Sequence, residues 1–557
     1  MHKAEAATPA PVSYNYTGWQ PGSNDLSLDD PLVAMTVDKS TPEQIRLTLG
    51  ANVDTILVVW TTGAGFNFSE TYETPSTPLQ TKVLYGLSPS ALDHTAEGVQ
   101  DAYVFNNTGY VKDPTNNFFI SGSTHLVELK NLSPETVYYY KCGDPDVAMS
   151  SVFSFKTGKT PSAKAFPVTF ALTADVGQTT NSSWTLQQLA AHEHDVTIHV
   201  GDVAYADDYS AEGCTNTIYY TPVGDIYNET QPTAPQCDTI TAYQPRWDTF
   251  GRLISNTVNT SSVPYMPLVG DHEVEIKATG NNVPFKSFLN RYPTPYEQSE
   301  STNQLYYSWN YGGVHVVMVG AFEQEGEYNF TSQITISQTQ IDWLIRDLKT
   351  VNRLVTPWVV AMIHTPWYNS FQAHFKEIEC FQQQIEDILY EYGVDMVFSG
   401  HTHAYERCRR TYKFELDACA PTYVTVGDGG NIEGLSKPTI DMPDGRIPFC
   451  ESPPNSSYPY CATFEQSNGI GQGNYYCPTE QPLYSAFRES AFGYGFLEFV
   501  SATEVKWSWY KWMDGNITPS DSLTVTKDLT CPNQLKSLGQ TAVNTLLDPK
   551  PVIAGLV

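Results

Sequence analysis

The stretch YMPLVGDHEVE, Tyr265 to Glu275, decides how the chain is to be read. Its first half is a short apolar run of the kind buried in a sheet. Its second half packs a glycine, an aspartate, a histidine and two glutamates into one turn. Alone, such a turn is ordinary, because an Asp after Gly commonly serves only backbone N–H groups. The pattern recurs, however. VTFALTADVGQ carries Asp175, VTIHVGDVAYADDY carries Asp202 and Tyr205, WVVAMIHTPWY carries His364, and VDMVFSGHTHAYER carries His401 and His403.

These buried-type runs begin after Pro167 and alternate with stretches such as TLQQLAAHEH, SQTQIDWLIRDLKT and QQQIEDILYEYG, which repeat apolar residues at i, i+3 and i+4. That alternation predicts an α/β domain, with ligands gathered at the carboxyl ends of the strands. Before it, residues 42 to 156 read as strand and turn throughout. QIRLTLG, TILVVWTT, TKVLYGL, STHLVELKNL, TVYYYKCG and VFSFKTG alternate at period two, as in a small β-sandwich. The expected organisation is an N-terminal extension (1–35) wrapped on the surface, a sandwich (36–160), a catalytic α/β domain (161–531) and a tail (532–557). Two poorly patterned inserts, about Asp207 to Pro245 and Lys437 to Pro482, hold Cys214, Cys237, Cys450, Cys461 and Cys477 and read as stapled loops.

Composition narrows the function. The chain has 557 residues, 41% hydrophobic and 13% aromatic, ample for a large core in more than one domain. With 31 Lys+Arg against 61 Asp+Glu, the formal charge of −30 argues against nucleic-acid partners and suits an acidic medium. No apolar run spans a membrane, and MHKAEAATPAPVSY lacks the apolar core of a signal peptide. Secretion is expected nonetheless. Sequons stand at Asn15, Asn67, Asn106, Asn131, Asn181, Asn228, Asn259, Asn329, Asn455 and Asn516, and the ten cysteines, without CxxC spacing, read as disulfides.

The five turns together offer Asp175, Asp202, Tyr205, Asp271, His364, His401 and His403. Crowded at one sheet edge, these groups would repel or lie unsatisfied without a cation among them. Oxygen donors mixed with imidazoles suit Fe, Mn or Zn rather than Ca²⁺, and seven donors suit two ions sharing a carboxylate.

In this order, ADVG, GDVAY, GDHE, AMIH and GHTH resemble the purple acid phosphatases of the metallophosphoesterase superfamily; Tyr205 in GDVAY is the most specific element. The resemblance implies a catalytic β-sandwich flanked by helices, preceded by a fibronectin type III-like domain. It implies Fe(III) on Asp175, Asp202, Tyr205 and His403, and a divalent Zn, Fe or Mn on Asp202, Asp271, His364 and His401, with Asp202 shared. It also implies acid hydrolysis of small phosphate monoesters, phytate among the candidates, by a metal-bound hydroxide, and colour from the Tyr205 phenolate. His272 and His374 are the candidate catalytic histidines. Glu273 either orients His272 or serves the backbone. Tyr405, Glu406 and Arg407 are expected to support the ligands, and Asp207 and Asp208 to be solvated loop charges.

The match departs from the family at Asp271, where the pattern has Asn, at Ala174, where Gly is usual, and at Ala373, where some members carry an additional His. Two other readings fit the same residues: a phosphodiesterase or nucleotide pyrophosphatase on the same two metals, and a glycoprotein that keeps the fold for binding and has lost the chemistry.

Overall fold

The computed structural model describes residues 25–533, except 28, 36–37, 51, 64–77, 107–117, 209–241, 243, 276–283, 325–333, 376, 438, 442–480, 512–517 and 529. Most of both cysteine-bearing inserts and the C-terminal tail therefore lie outside the described residues.

Alternation in the N-terminal strands sends every second side chain inward. Glu43–Leu49, Ile56–Thr62, Ser123–Leu129 and Val99–Asp101 form one sheet; Ala148–Met149, Val137–Asp144, Lys82–Gly86 and His94–Glu97 form the other, with Phe153–Lys156 added beside Val137–Asp144. Val58, Trp60, Val83, Val127, Tyr140 and Phe155 fill the space between them. This is the expected all-β domain. Its first strand is fastened to the catalytic domain: Arg252 Nη2 donates to Glu43 Oε1 at 2.7 Å, and the Thr260 hydroxyl donates to the Ile45 carbonyl.

The catalytic domain is built on two sheets, the β-sandwich flanked by helices that the resemblance implies. The first runs Tyr265–Leu268, Val196–Val200, Val168–Thr173, Gly493–Phe499, Glu504–Lys511, Asp521–Thr526; its first three strands are parallel. The second contains Tyr307–Tyr311, Val314–Val319, Trp358–Ile363, Met396–Ser399, Thr422–Val426 and Tyr405–Tyr412, with four parallel strands at its centre. Phe170, Leu172, Ile198 and Leu497 of the first sheet share a core with Trp309, Val316, Val360 and Phe398 of the second. The alternate residues Ala171, Val317, Val359, Ala361 and Val397 face helices Thr180–Ala190, Pro245–Thr257, Gln338–Thr350 and Glu379–Glu391. Both faces of each parallel strand are thus covered, which is why those strands read as unbroken apolar runs.

Several expectations are corrected. Residues from Asp25 do not simply wrap the surface: Leu26 and Val33 are buried in the helix-side core, and the Leu26 N–H donates to the Gln178 carbonyl. Helix Pro245–Thr257 begins where an insert was expected to end. Not all cysteines are paired. Cys419 and Cys531 form a disulfide and Cys380 is disulfide-bonded, but Cys142 and Cys408 are buried thiols. Among the sequons, Asn131 and Asn259 are exposed, whereas Asn181 is buried within a helix, which leaves no room for a glycan there. The Asn106 side chain and the remaining six lie outside the described residues. Among the described residues no helix is long and apolar enough to cross a membrane.

Candidate metal centre

All five turns open at the same end of the two sheets, immediately after Thr173, Val200, Leu268, Ile363 and Ser399. The glycine before each of two ligand turns has a steric cause. A Cβ on Gly270 would stand 2.1 Å from Asp202 Oδ1 and 2.7 Å from His364 Nε2; one on Gly400 would stand 2.2 Å from Asp175 Oδ2. The backbone must pass that close for the side chains to converge. The turns are also strained: Asp175, Asp202, Tyr205 and His401 all adopt positive φ, between 51° and 65°. Each such residue costs on the order of 1–3 kcal/mol, and such strain concentrates at functional sites.

The donors fall into two groups. In one, the Tyr205 hydroxyl lies 3.1 Å from His403 Nε2 and 3.3 Å from Asp175 Oδ1, and His403 Nε2 lies 3.4 Å from Asp175 Oδ1. In the other, His364 Nε2 is 2.9 Å from Asp202 Oδ2 and 3.3 Å from Asp271 Oδ1, and His401 Nδ1 is 3.0 Å from Asp271 Oδ1. Donor atoms bound at right angles to one ion, roughly 2.1 Å away, stand about 3 Å apart. The separations in both groups are of that size.

The imidazoles are set for this. His364 Nδ1 donates to the Val200 carbonyl at 2.7 Å and His403 Nδ1 to the Gly434 carbonyl at 3.0 Å, which leaves each Nε2 as a lone-pair donor. Asp202 Oδ2, Asp271 Oδ1 and His364 Nε2 are buried without hydrogen-bond partners. Buried polar atoms are ordinarily satisfied, so three orphans converging on one point match the demand of a cation. The residues present fit two metal ions.

The electrostatics agree. Burial alone would lower the His364 pKa, yet Asp202 and Asp175 raise it well above the ordinary value; burial would raise that of Asp271, yet His401 and His364 hold it well below. The carboxylate-rich cluster thus favours positive charge at its centre. Burial first, then Asp175 and Asp202, push the Tyr205 phenol well above its usual pKa, so a phenolate there requires a bound cation.

Around the donors, Glu273 serves the backbone: its carboxylate accepts N–H bonds from Gly270, Asp202 and Val203 at 2.8–2.9 Å. Asp207, expected to be a solvated charge, instead holds His272 by its Nδ1 at 2.9 Å. Asp208 is likewise not solvated, because its Oδ2 is buried without a partner. The His272 ring packs 4.1 Å from that of Tyr205. Burial would depress its pKa, but Asp207 and then Asp202 raise it well above the ordinary value. The His374 ring lies 3.9 Å from that of His401, tilted by 41°, and pairs with Glu377, three residues on. Tyr405, Glu406 and Arg407 do not contact the donors. Tyr405 and Arg407 bond to Asp521, and Glu406 to Ser370 and Ser485, so they brace strands. Asp207 was read from sequence only as a solvated charge, and Glu377 and Glu433 were not singled out; the available signal was a spacing of two or three residues from a turn residue already chosen, or, for Glu433, a sixth strand end.

Family models match in the same order: purple acid phosphatase N-terminal domain at residues 42–157, calcineurin-like phosphoesterase at 168–405, and iron/zinc purple acid phosphatase-like protein C at 466–518. Purple acid phosphatase 15 of Arabidopsis thaliana is 37% identical over 504 residues, 90% of this chain and 88% of the relative. This chain belongs to the purple acid phosphatase family. Purple acid phosphatase 23 of the same plant is 40% identical over 76% of this chain and 86% of its own length. The fold matches the purple acid phosphatase PPD1 from yellow lupin (Lupinus luteus) seeds with a TM-score of 0.61 at 18% identity, over 90% of this chain and 76% of that one. It also matches PhoD, with a TM-score of 0.52 at 14% identity, over 89% and 92% of the two chains. Phosphatases of this family use two metal ions, in keeping with the two donor groups.

Proposed function

We propose that the chain is a secreted acid phosphatase that hydrolyses small phosphate monoesters. Asp175, Asp202, Tyr205 and His403 would hold Fe(III), and Asp202, Asp271, His364 and His401 a divalent ion. The observation that carries this reading is the convergence of the orphaned Asp202, Asp271 and His364 atoms beside the Tyr205–His403–Asp175 triangle. When bound, such a pair supplies an acidified water and neutralises phosphoryl charge.

The chain's own residues supply the rest. His272, gripped at Nδ1 by Asp207, presents Nε2 to the site as the proton donor to the departing alcohol. His374, paired with Glu377 and partly exposed, faces incoming substrate. Glu273 fixes the Gly270 and Asp202 turns relative to each other. Secretion is supported by the Cys419–Cys531 disulfide and the exposed sequons Asn131 and Asn259.

Steady-state rates on an aryl phosphate monoester and the matching diester test the reading. Turnover of the monoester with an acid optimum, abolished in His364→Ala together with loss of metal, is expected. Faster turnover of the diester would contradict it.

A further inference from the structure

The turn after strand Thr422–Val426 is tied to the metal site at both ends. The Asn431 side-chain amide donates to the Asp175 carbonyl at 3.0 Å, its Oδ1 accepts the N–H groups of Glu433 and Gly434, and the Gly434 carbonyl accepts from His403. Held this way, Glu433 places Oε1 3.9 Å from His272 Nε2 and Oε2 3.9 Å from His403 Nδ1, with about a third of its side chain open to solvent. No lysine or arginine among the described residues pairs with it. Asp207 and Asp208 also stand within 4.8 Å of His272, and Asp207 is already committed to its Nδ1.

We propose that Glu433 selects the alcohol portion of the substrate: the site prefers phosphate monoesters whose alcohol is neutral or cationic over those whose alcohol carries a further phosphate or carboxylate. This rests on the monoester reading above, with His272 Nε2 protonating the leaving oxygen. An oxygen within hydrogen-bond reach of that nitrogen, about 2.8 Å, lies no farther than roughly 7 Å from the Glu433 carboxylate. We place the group that this oxygen carries on the solvent-open side of Glu433. A second anion there meets the negative charge of Glu433, which no lysine or arginine among the described residues offsets, at a separation where, near a surface, like charges repel strongly enough to shift rates on the order of tenfold. A cation there is attracted by a similar factor.

The test compares kcat/KM of the metal-loaded enzyme on phenyl phosphates carrying a para carboxylate or a para trimethylammonium group, in wild type, Glu433→Gln and Glu433→Asp. The anionic-to-cationic ratio is expected to rise on the order of tenfold in Glu433→Gln, to stay within about twofold of wild type in Glu433→Asp, and to rise with salt in wild type more than in Glu433→Gln. Equal changes on both esters would mean a merely structural role and would overturn the proposal, as would an unchanged ratio. Hydrolysis of neither ester by wild type would overturn the monoester reading, and this inference with it.

Discussion

His364 Nε2 lies 2.9 Å from Asp202 Oδ2, yet the two atoms make no hydrogen bond and both are buried. Side chains so close and so poorly aligned with each other are aligned with something between them. The same relation repeats at Asp271, whose Oδ1 approaches both His364 and His401 without bonding to either. The chain accepts positive φ at four donor residues to achieve it.

Asp271 adds an ionisable group where the family pattern has a neutral amide. An anionic oxygen binds a divalent ion more tightly but lowers the net positive charge offered to phosphate. Asp271→Asn is expected to keep both metals and raise kcat/KM roughly three- to tenfold. Metal analysis with steady-state kinetics decides; an inactive or metal-free variant would contradict it.

Glu273 acts on the site only through the backbone. Its replacement by Gln puts an amide donor against one of three N–H groups, loosening the Gly270 and Asp202 turns together. Loss of such support typically costs about 10–100-fold in metal affinity. Chelator titration of Glu273→Gln should show the divalent ion leaving first, with the fold intact by circular dichroism.

How much of this was legible in the sequence follows from the kind of signal. The seven candidate side chains were readable because each stands within five residues of the end of an apolar strand, and the structure brings them close together. The split into two sheets came only from the family resemblance, since in the strand pattern itself a buried parallel strand reads the same in either sheet. Helix Pro245–Thr257 could have been found from Pro245 at its start and the Trp247–Phe250–Ile254 spacing, but was not named from sequence. The partnership of Asp207 with His272 joins turns 65 residues apart and leaves no local trace.

In the N-terminal domain, His125 is fully buried, stacked on Trp60 and held between the Thr62 and Thr81 hydroxyls; burial lowers its pKa to about 4. The unfolded chain takes up this proton near pH 6.5, the folded chain only near 4. The stabilisation from keeping His125 neutral is therefore fully present above pH 6.5 and is lost as pH falls towards 4, up to about 3 kcal/mol. His125→Gln should show a smaller drop in Tm between pH 7 and pH 4.5 than wild type; an equal drop would refute this assignment.

At the far end of the second sheet, Asp395 is buried between Arg353 and Lys527. Asp395→Asn removes the carboxylate that pairs with both buried cations, and breaking such a buried pair typically costs about 3–5 kcal/mol. Denaturant unfolding should show a loss of that order with kcat nearly unchanged in the folded fraction.

The account turns on one centre of two ions with Tyr205 bound to one of them. Metal analysis combined with a visible absorption spectrum of the purified wild type and of Tyr205→Phe addresses it directly. Two metals per chain, with a visible band in the wild type that vanishes in the folded variant, is the expected result. A single ion at full loading, or a band untouched by Tyr205→Phe, would contradict it.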